Sequence, residues 1–363
     1  MKFETLGEKF AGAAQQVSRA RSKSGSDNLL QDIYIALDNH ILTLRTTNLE
    51  IFCERSVPVK GIHNGSCILN GETFVKVLPF LQDSKDPLTC EIVDGLFRIT
   101  TPRQVIDITL NKESEFPALP SQGDELGTLQ TTTLTTLLKE VVFCAAQTEI
   151  KPEISSVFLY SLNDSLYGVA TDSYRLAEKS LPNTSNVALS VLLPQKFIPD
   201  LLSILSSAED MCTLHQQENI LTISTTTLTV CVHVVRGQFP DYRQLFPREF
   251  TTTASLPKED LQKALTLTTL FTEQYSQVKC VIAGDSLVLY SKNEKSGQAT
   301  NTLAVVKEGN DIEAEYNNRY FLDVFPHITG SNITCSCTSP QRPMFITSKE
   351  DTSFTYLLMP LNR

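Results

Sequence analysis

The sequence predicts an α+β fold of three repeated modules, each with two helices packed on antiparallel sheets. Three observations carry this prediction. The stretch 238–247 (QFPDYRQLFP) has a shorter echo at 115–120 (EFPALP), and Phe239 lies 123 positions after Phe116. The same offset joins Phe74 to Phe197 and Phe197 to Tyr320, where Arg319-Tyr320-Phe321-Leu322-Asp323 follows Lys196-Phe197-Ile198-Pro199-Asp200 position by position. Near each module start, apolar residues recur at helical spacing: Leu6, Phe10, Ala14 and Val17; Leu134, Leu138, Val141 and Val142; Leu261, Ala264 and Leu265. Thr47-Asn48 and Thr171-Asp172, 124 apart, add a polar turn at matching places. Weak matches that agree on one period mark tandem modules, here 1–124, 125–249 and 250–363.

Taken in order, the first module opens with a helix carrying Leu6, Phe10, Ala14 and Val17 inward and Glu8, Lys9, Gln15 and Gln16 outward. Arg19, Arg21 and Lys23 then stand among small residues as an exposed basic loop. Alternating runs at 32–37, 41–45 and 50–54, separated by Asn39 and Asn48, read as antiparallel strands. A second helix is expected over Glu72 to Leu81, and further strands from Glu91 to Leu110. A linker is expected around Gln122 to Gly127, after which Thr131 to Thr133 can cap a helix with Leu134, Leu137, Leu138, Val141 and Val142 on one face. Pro194 is expected to start the second helix of that module. The third module runs from about Thr251, with Pro257 near its first helix start and a second helix from about Asn317 to Phe325. Each X-Pro step biases the preceding residue towards extended backbone, so 238–247 is expected to form a stiff strap between modules rather than a helix.

Composition narrows the class. With 41% hydrophobic and 20% charged residues the chain is ordinary for a globular protein, long enough for two or three cores. No apolar run approaches a membrane span, and the first ten residues lack the apolar core of a signal peptide, so a cytoplasmic protein with no membrane partner is expected. The nine cysteines include no CxxC pair, and Cys335-Ser-Cys337 has no histidines at metal spacing, which reads as reduced core thiols. A net charge of −10 argues against a protein that clings to nucleic acid over its whole surface, while leaving room for a local basic lining.

Catalytic signatures are missing. The sequence contains no phosphate loop, dinucleotide fingerprint, HExxH or GxSxG, and His40, His63, His215, His233 and His327 fall at no shared metal spacing. No catalytic residue, metal or cofactor is therefore expected. What does stand out is 168–177 (GVATDSYRLA), which mixes a turn, an aromatic, a cation and apolar residues as a rim and pocket would. The final residues 356–363 (YLLMPLNR) are apolar for a terminus and should be docked on something.

These residues resemble the β subunit of bacterial DNA polymerase III, the sliding clamp family. The resemblance runs over the whole chain, from Met1-Lys-Phe3 and Gln15-Gln-Val-Ser18, through Thr171-Asp172 with Arg175-Leu176-Ala177 and Phe239-Pro-Asp-Tyr-Arg243, to Met359-Pro360. It implies a DNA-clamp fold of three like modules, with two chains joined head to tail into a ring of six modules around duplex DNA. The implied action is topological, a non-catalytic processivity factor that slides on DNA through weak phosphate contacts.

Carried over by position, the resemblance implies a DNA face of Arg19, Arg21, Lys23, Lys151, Lys196 and Tyr275, to which the repeat adds Arg319. In the first module Glu72-Thr73 stand where the family usually has basic residues. It implies a dimer interface that includes Leu78, Arg103, Leu270 and Phe271. It also implies an apolar cleft of Ile154, Thr171, Ser173, Tyr174, Arg175, Leu176, Pro240, Gln244, Leu245, Pro343, Met344, Leu358, Met359, Pro360, Leu361 and Arg363. Short peptides would bind there, borne by the polymerase III catalytic subunit, the clamp-loader complex, other polymerases, mismatch-repair proteins and ligase. Ser173 and Tyr174 stand where the family often has glycine and histidine. Two readings from other classes stay open at this point, a hydrolase using Asp172 and Arg175 and a Thr-rich β adhesin.

Overall fold

The structure is a computed structural model, and it describes residues 1–363 except 23–27, 83–86, 112–114, 273–275 and 362–363. Lys23, Tyr275 and Arg363 therefore lie outside the described residues.

The element order runs three times through one pattern: a strand, a helix, a run of strands, a second helix and three strands. The first passage is β1 (Lys2–Leu6), α1 (Gly7–Val17), β2 (Ile33–Asp38), β3 (Ile41–Thr47), β4 (Ile51–Pro58), β5 (Lys60–His63), β6 (Gly65–Leu69), α2 (Gly71–Gln82), β7 (Pro87–Val93), β8 (Leu96–Thr100) and β9 (Val105–Thr109). The second is β10 (Asp124–Gln130), α3 (Thr131–Lys139), β11 (Ser156–Leu162), β12 (Ser165–Thr171), β13 (Arg175–Pro182), β14 (Ser190–Pro194), α4 (Ile198–Leu205), β15 (Met211–Gln217), β16 (Ile220–Ser224) and β17 (Leu228–His233). The third is β18 (Thr252–Pro257), α5 (Lys258–Thr269), β19 (Gln277–Ala283), β20 (Ser286–Asn293), β21 (Gly297–Ala304), β22 (Val306–Gly309), β23 (Ile312–Asn317), α6 (Asn318–Asp323), β24 (Asn332–Cys337), β25 (Met344–Thr347) and β26 (Phe354–Leu358).

The chain divides into two compact units. The first comprises 1–135, 185–188 and 196–234, and holds a five-stranded sheet, β5-β1-β7-β8-β9, and an eight-stranded sheet, β10-β15-β16-β17-β4-β3-β2-β6. Its core includes a ring cluster in which Phe10 meets Phe3, Phe74 and Phe97 at 5.8, 5.6 and 6.5 Å. The second comprises 136–184, 189–195 and 235–363, with a nine-stranded sheet, β14-β11-β12-β13-β26-β25-β24-β18-β22, and a four-stranded sheet, β21-β20-β19-β23. Among the described residues every strand pair is antiparallel.

One feature of these sheets recurs. In the first unit β4 joins β17, from Ile51 opposite Val232 to Arg55 opposite Leu228. In the second unit β13 joins β26, from Arg175 opposite Leu358 to Lys179 opposite Phe354. Each seam pairs the third strand after a first helix with the last strand of the following passage. The two remaining strands of those kinds, β21 and β9, are end strands of their sheets and are mostly exposed.

Several sequence expectations are corrected. Leu6 ends β1 and is 42% exposed, because the helix starts one residue later; Gln16, expected outside, is buried and donates to the Ile204 carbonyl at 2.7 Å. Residues 124–127 of the linker expected at 122–127 belong instead to β10, which pairs with β15. The glycines of this stretch permit close approach rather than flexibility: a Cβ on Gly123 would meet the Gln216 carbonyl oxygen at 2.0 Å, and Gly127 has φ +132°. Thr131 does not cap α3 with its hydroxyl, which donates instead to the Glu209 carbonyl. Val142 falls in a separate 3-10 turn after α3, not on its face. Pro194 ends β14 opposite Ser156, where a strand end tolerates its missing N–H, and the proline in the first turn of α4 is Pro199. Within the extended strap, Tyr242–Leu245 makes one 3-10 turn.

Candidate functional site

Unit two contains a cavity of about 210 Å³ lined by Ile154, Thr171, Ser173, Arg175, Leu176, Pro240, Asp241, Tyr242, Gln244, Leu245, Leu357 and Met359. Three segments build most of it, and Ile154, just before β11, completes the lining. The turn between β12 and β13 is fixed by its own polar side chains. Thr171 Oγ1 donates to the Arg175 carbonyl at 2.7 Å and accepts from Ser173 N at 3.1 Å, while Asp172 Oδ1 accepts from Tyr174 N and Arg175 N at 2.9 and 3.0 Å. This leaves Ser173 with φ +78°, a conformation in which a Cβ is strained.

The strap supplies the second wall. Phe239 stacks on Phe158 at 5.2 Å, and Tyr242 is buried with its hydroxyl donating to the Glu178 carboxylate and 2.6 Å from the Tyr160 hydroxyl. Arg243 donates to the Tyr160 hydroxyl through Nε at 3.1 Å and through Nη2 at 2.5 Å, and lies over the Tyr167 ring at 4.7 Å. Burial, followed by the Glu178 charge, pushes the Tyr242 phenol far above its ordinary range, so it stays a donor. The tail supplies the third wall: β26 pairs with β13, and Met359 N donates to the Tyr174 carbonyl at 2.9 Å.

Arg175 sits where the turn meets the strand. Its Nε reaches Asp172 Oδ2 at 2.9 Å and its Nη1 reaches Asp323 Oδ2 at 2.5 Å, while the guanidinium lies 4.4 Å from the Tyr320 ring centre. Burial opposes its charge, but the surrounding groups, the two aspartates among them, keep it protonated at any working pH.

Of the expected cleft residues, the cavity collects Ile154, Thr171, Ser173, Arg175, Leu176, Pro240, Gln244, Leu245 and Met359. Tyr174 does not line it and is 61% exposed beside it. Pro343, Met344, Leu358 and Pro360 are buried and Leu361 is half-buried, none of them lining the cavity. Leu358 points away because strand alternation turns Leu357 and Met359 towards the opening instead. Sequence reasoning missed Asp241, Tyr242 and Leu357 as lining; the first two lie inside the quoted Phe-Pro-Asp-Tyr-Arg motif, and Leu357 was available from that alternation.

The expected cations are placed less uniformly. In unit one Arg19 is exposed, but Arg21 is half-buried and donates to the Gln31 carbonyl at 3.3 Å beside Gly71, so the expected fully exposed loop is corrected at that residue. Lys196 is exposed and paired with Glu50 at 2.9 Å. In unit two Lys151 and Arg319 are exposed. Leu78, expected at an interface, is corrected: it is 2% exposed, on the inner face of α2 with Phe74 and Leu81, whereas Phe80 of the same helix is 72% exposed. Arg103 and Leu270 are exposed and Phe271 is half-buried.

Among the described residues, no group of three or more His, Cys, Asp or Glu side chains could hold a metal ion, and no helix is long and apolar enough to cross a membrane. The cysteines are free thiols; burial pushes Cys337 up to about 11 and Cys67 up to about 12.

Comparison with known proteins gives these features a family. The profile of the DNA polymerase III beta subunit central domain matches residues 128–241, and that of its C-terminal domain matches 243–362, together well over half of the chain. The beta sliding clamp of Vibrio cholerae is 22% identical over 99% of this chain and 100% of its own length. The crystal structure of the DNA polymerase III beta subunit from Thermotoga maritima superposes with a TM-score of 0.93 at 22% identity, covering 100% of this chain and 99% of that one. A sliding clamp from Pseudomonas aeruginosa, solved bound to griselimycin, superposes with a TM-score of 0.93 at 19% identity, each chain covered in full. The fold is thus that of a DNA clamp, mixed helix and antiparallel sheet, with an apolar pocket at one seam. The chain belongs to the DNA polymerase III beta subunit family, the bacterial sliding clamps.

Proposed function

We propose that two copies of this chain close a ring around duplex DNA and tether the replicative polymerase to it. The observation that carries the reading is the unfinished seam. Two seams join the third strand of one passage to the last strand of the next, and a third pair of the same kind, β21 and β9, is left as exposed ends. Pairing β21 of one copy with β9 of a second would repeat the seam twice, cover both open edges and close a two-fold ring. Modules at 1–124, 125–249 and 250–363 would then give six in the ring. Arg103, Leu270, Phe271 and the exposed Phe80 stand for the interface.

Within the ring, Arg19, Arg21, Lys23, Lys151, Lys196, Tyr275 and Arg319 are proposed to face duplex DNA. Contacts of this kind are non-specific and weakened by salt, which suits sliding. The pocket of unit two is proposed to take short peptides from the polymerase III catalytic subunit, the clamp-loader complex, other polymerases, mismatch-repair proteins and ligase. The protein makes and breaks no bond in this role, and works in the cytoplasm.

The test is mass in solution by light scattering across a dilution series, followed by retention on nicked circular and linear DNA. A mass near twice 40.4 kDa with retention on circles alone is expected. A monomer that binds both DNA forms alike would remove the topological mechanism.

A further inference from the structure

Among the described residues Arg175 is the one cation in the wall of a largely apolar pocket, and such a cation would ordinarily invite an acidic ligand group. It is not available for that. Asp172 holds Nε at 2.9 Å and Asp323 holds Nη1 at 2.5 Å, and the guanidinium is covered by Tyr320 at 4.4 Å. One positive charge faces two negative ones, and exposed Asp241 adds another at the rim. The side chains of Arg175 and Asp172 are only 10% and 12% exposed, so water screens that pair weakly, while Asp323, 39% exposed, is partly screened.

Resting on the reading of this cavity as a peptide pocket, we infer that Asp323 is a specificity-determining residue: by over-neutralising Arg175 it makes the pocket take an uncharged apolar anchor and reject an acidic one. Asp323 does not itself line the cavity. It sits on α6, 148 residues from Arg175 in sequence, and acts through the ion pair. Asp172 cannot be dissected in the same way, because its carboxylate also forms the turn through Tyr174 N and Arg175 N. Asp323 is 39% exposed at its side chain, so its charge can be altered with little burial at stake.

The experiment is affinity selection of a random acetylated heptapeptide library on the full-length protein. It is followed by titration of one selected peptide and its copy with the apolar anchor replaced by glutamate. The wild type should deplete acidic residues at the anchor. In Asp323→Asn the preference for the apolar over the glutamate peptide should narrow about five- to tenfold, less at high salt, as expected for removal of one nearby charge. Asp323→Glu, which keeps the charge, should restore the wild-type ratio. An unchanged ratio in Asp323→Asn, or loss of affinity for both peptides in equal proportion, would overturn the assignment, since a merely structural role moves both together. If the wild type selects no peptide whose binding is weakened in Met359→Ala, the pocket reading itself fails, and that result is separate from a failure of the Asp323 assignment.

Discussion

The Tyr242 hydroxyl donates to the buried Glu178 carboxylate, and this contact fastens the strap to the middle of β13. Pro240, Asp241, Gln244 and Leu245 of the strap line the cavity, so this buried polar pair, supported by Tyr160 and Arg243, joins the apolar packing of Phe239 and Phe246 in holding a whole wall. Tyr242→Phe leaves the shape of the ring but removes the donor from a buried carboxylate. The expected loss is about 1 to 3 kcal/mol of stability, the usual cost of an unsatisfied buried group, read from the urea midpoint at constant m. A midpoint equal to that of the wild type would show that Arg243, 3.8 Å from Glu178, suffices alone.

Leu176 and Met359 line the same cavity but differ in burial. Leu176 is 3% exposed in the core, whereas Met359 is half-buried at its opening. Truncating either to alanine should weaken peptide binding by about 1 to 3 kcal/mol, measured by calorimetry. Only Leu176→Ala should also cost about 2 to 5 kcal/mol of folding stability, because it opens a core cavity. Equal destabilisation by both would mean that Met359 is part of the core and not of the binding surface.

Ser173 holds φ +78°, and the fold accepts this strain because Thr171 and Asp172 fix the surrounding amides. Glycine meets no penalty in that region but raises the entropy of the unfolded chain. Ser173→Gly should therefore stabilise the protein by about 0.5 to 1 kcal/mol net, seen as a higher thermal midpoint. Ser173→Val should lower it.

Much of this was legible in the sequence, for a physical reason. Thr47-Asn48 and Thr171-Asp172 were matched only by offset, yet each makes the same turn. Thr47 Oγ1 donates to Ile51 O at 2.9 Å and Asn48 Oδ1 accepts from Glu50 N and Ile51 N, as Thr171 and Asp172 do at Arg175. Leu49 even shares the left-handed backbone of Ser173, at φ +71°. Local polar codes of this sort survive in sequence because the residue type is the turn. The burial of Leu78 was also legible, since it follows Phe74 by four on a helix whose inner face continues to Leu81. Two things were not. The strand β10 looks like a linker because Gly123, just before it, answers to the Gln216 backbone and Gly127, within it, to a positive φ beside Val187, neither of which sequence spacing reports. The neutralisation of Arg175 by Asp323 depends on a contact across 148 residues that no spacing rule reports.

A second long-range ion pair gives stability a definite pH dependence. Lys179 Nζ meets Asp351 Oδ2 at 2.7 Å with side chains 10% and 17% exposed. Burial pushes the Asp351 carboxyl up, but hydrogen bonds from Lys179 and Ser353 outweigh it and hold the group at about 2. The ordinary aspartate value is about 3.9, so the folded state binds the proton more weakly than the unfolded state. The resulting stabilisation is complete above about pH 4 and is lost as pH falls through the folded value near 2. Urea midpoints taken at steps from pH 5 to pH 2 should therefore fall more steeply for the wild type than for Asp351→Asn. The excess loss should be about 1 to 2 kcal/mol after allowance for partial solvent screening. Parallel curves would mean that Asp351 titrates alike in the folded and unfolded states, and that the pair holds β13 to the loop before β26 by geometry alone.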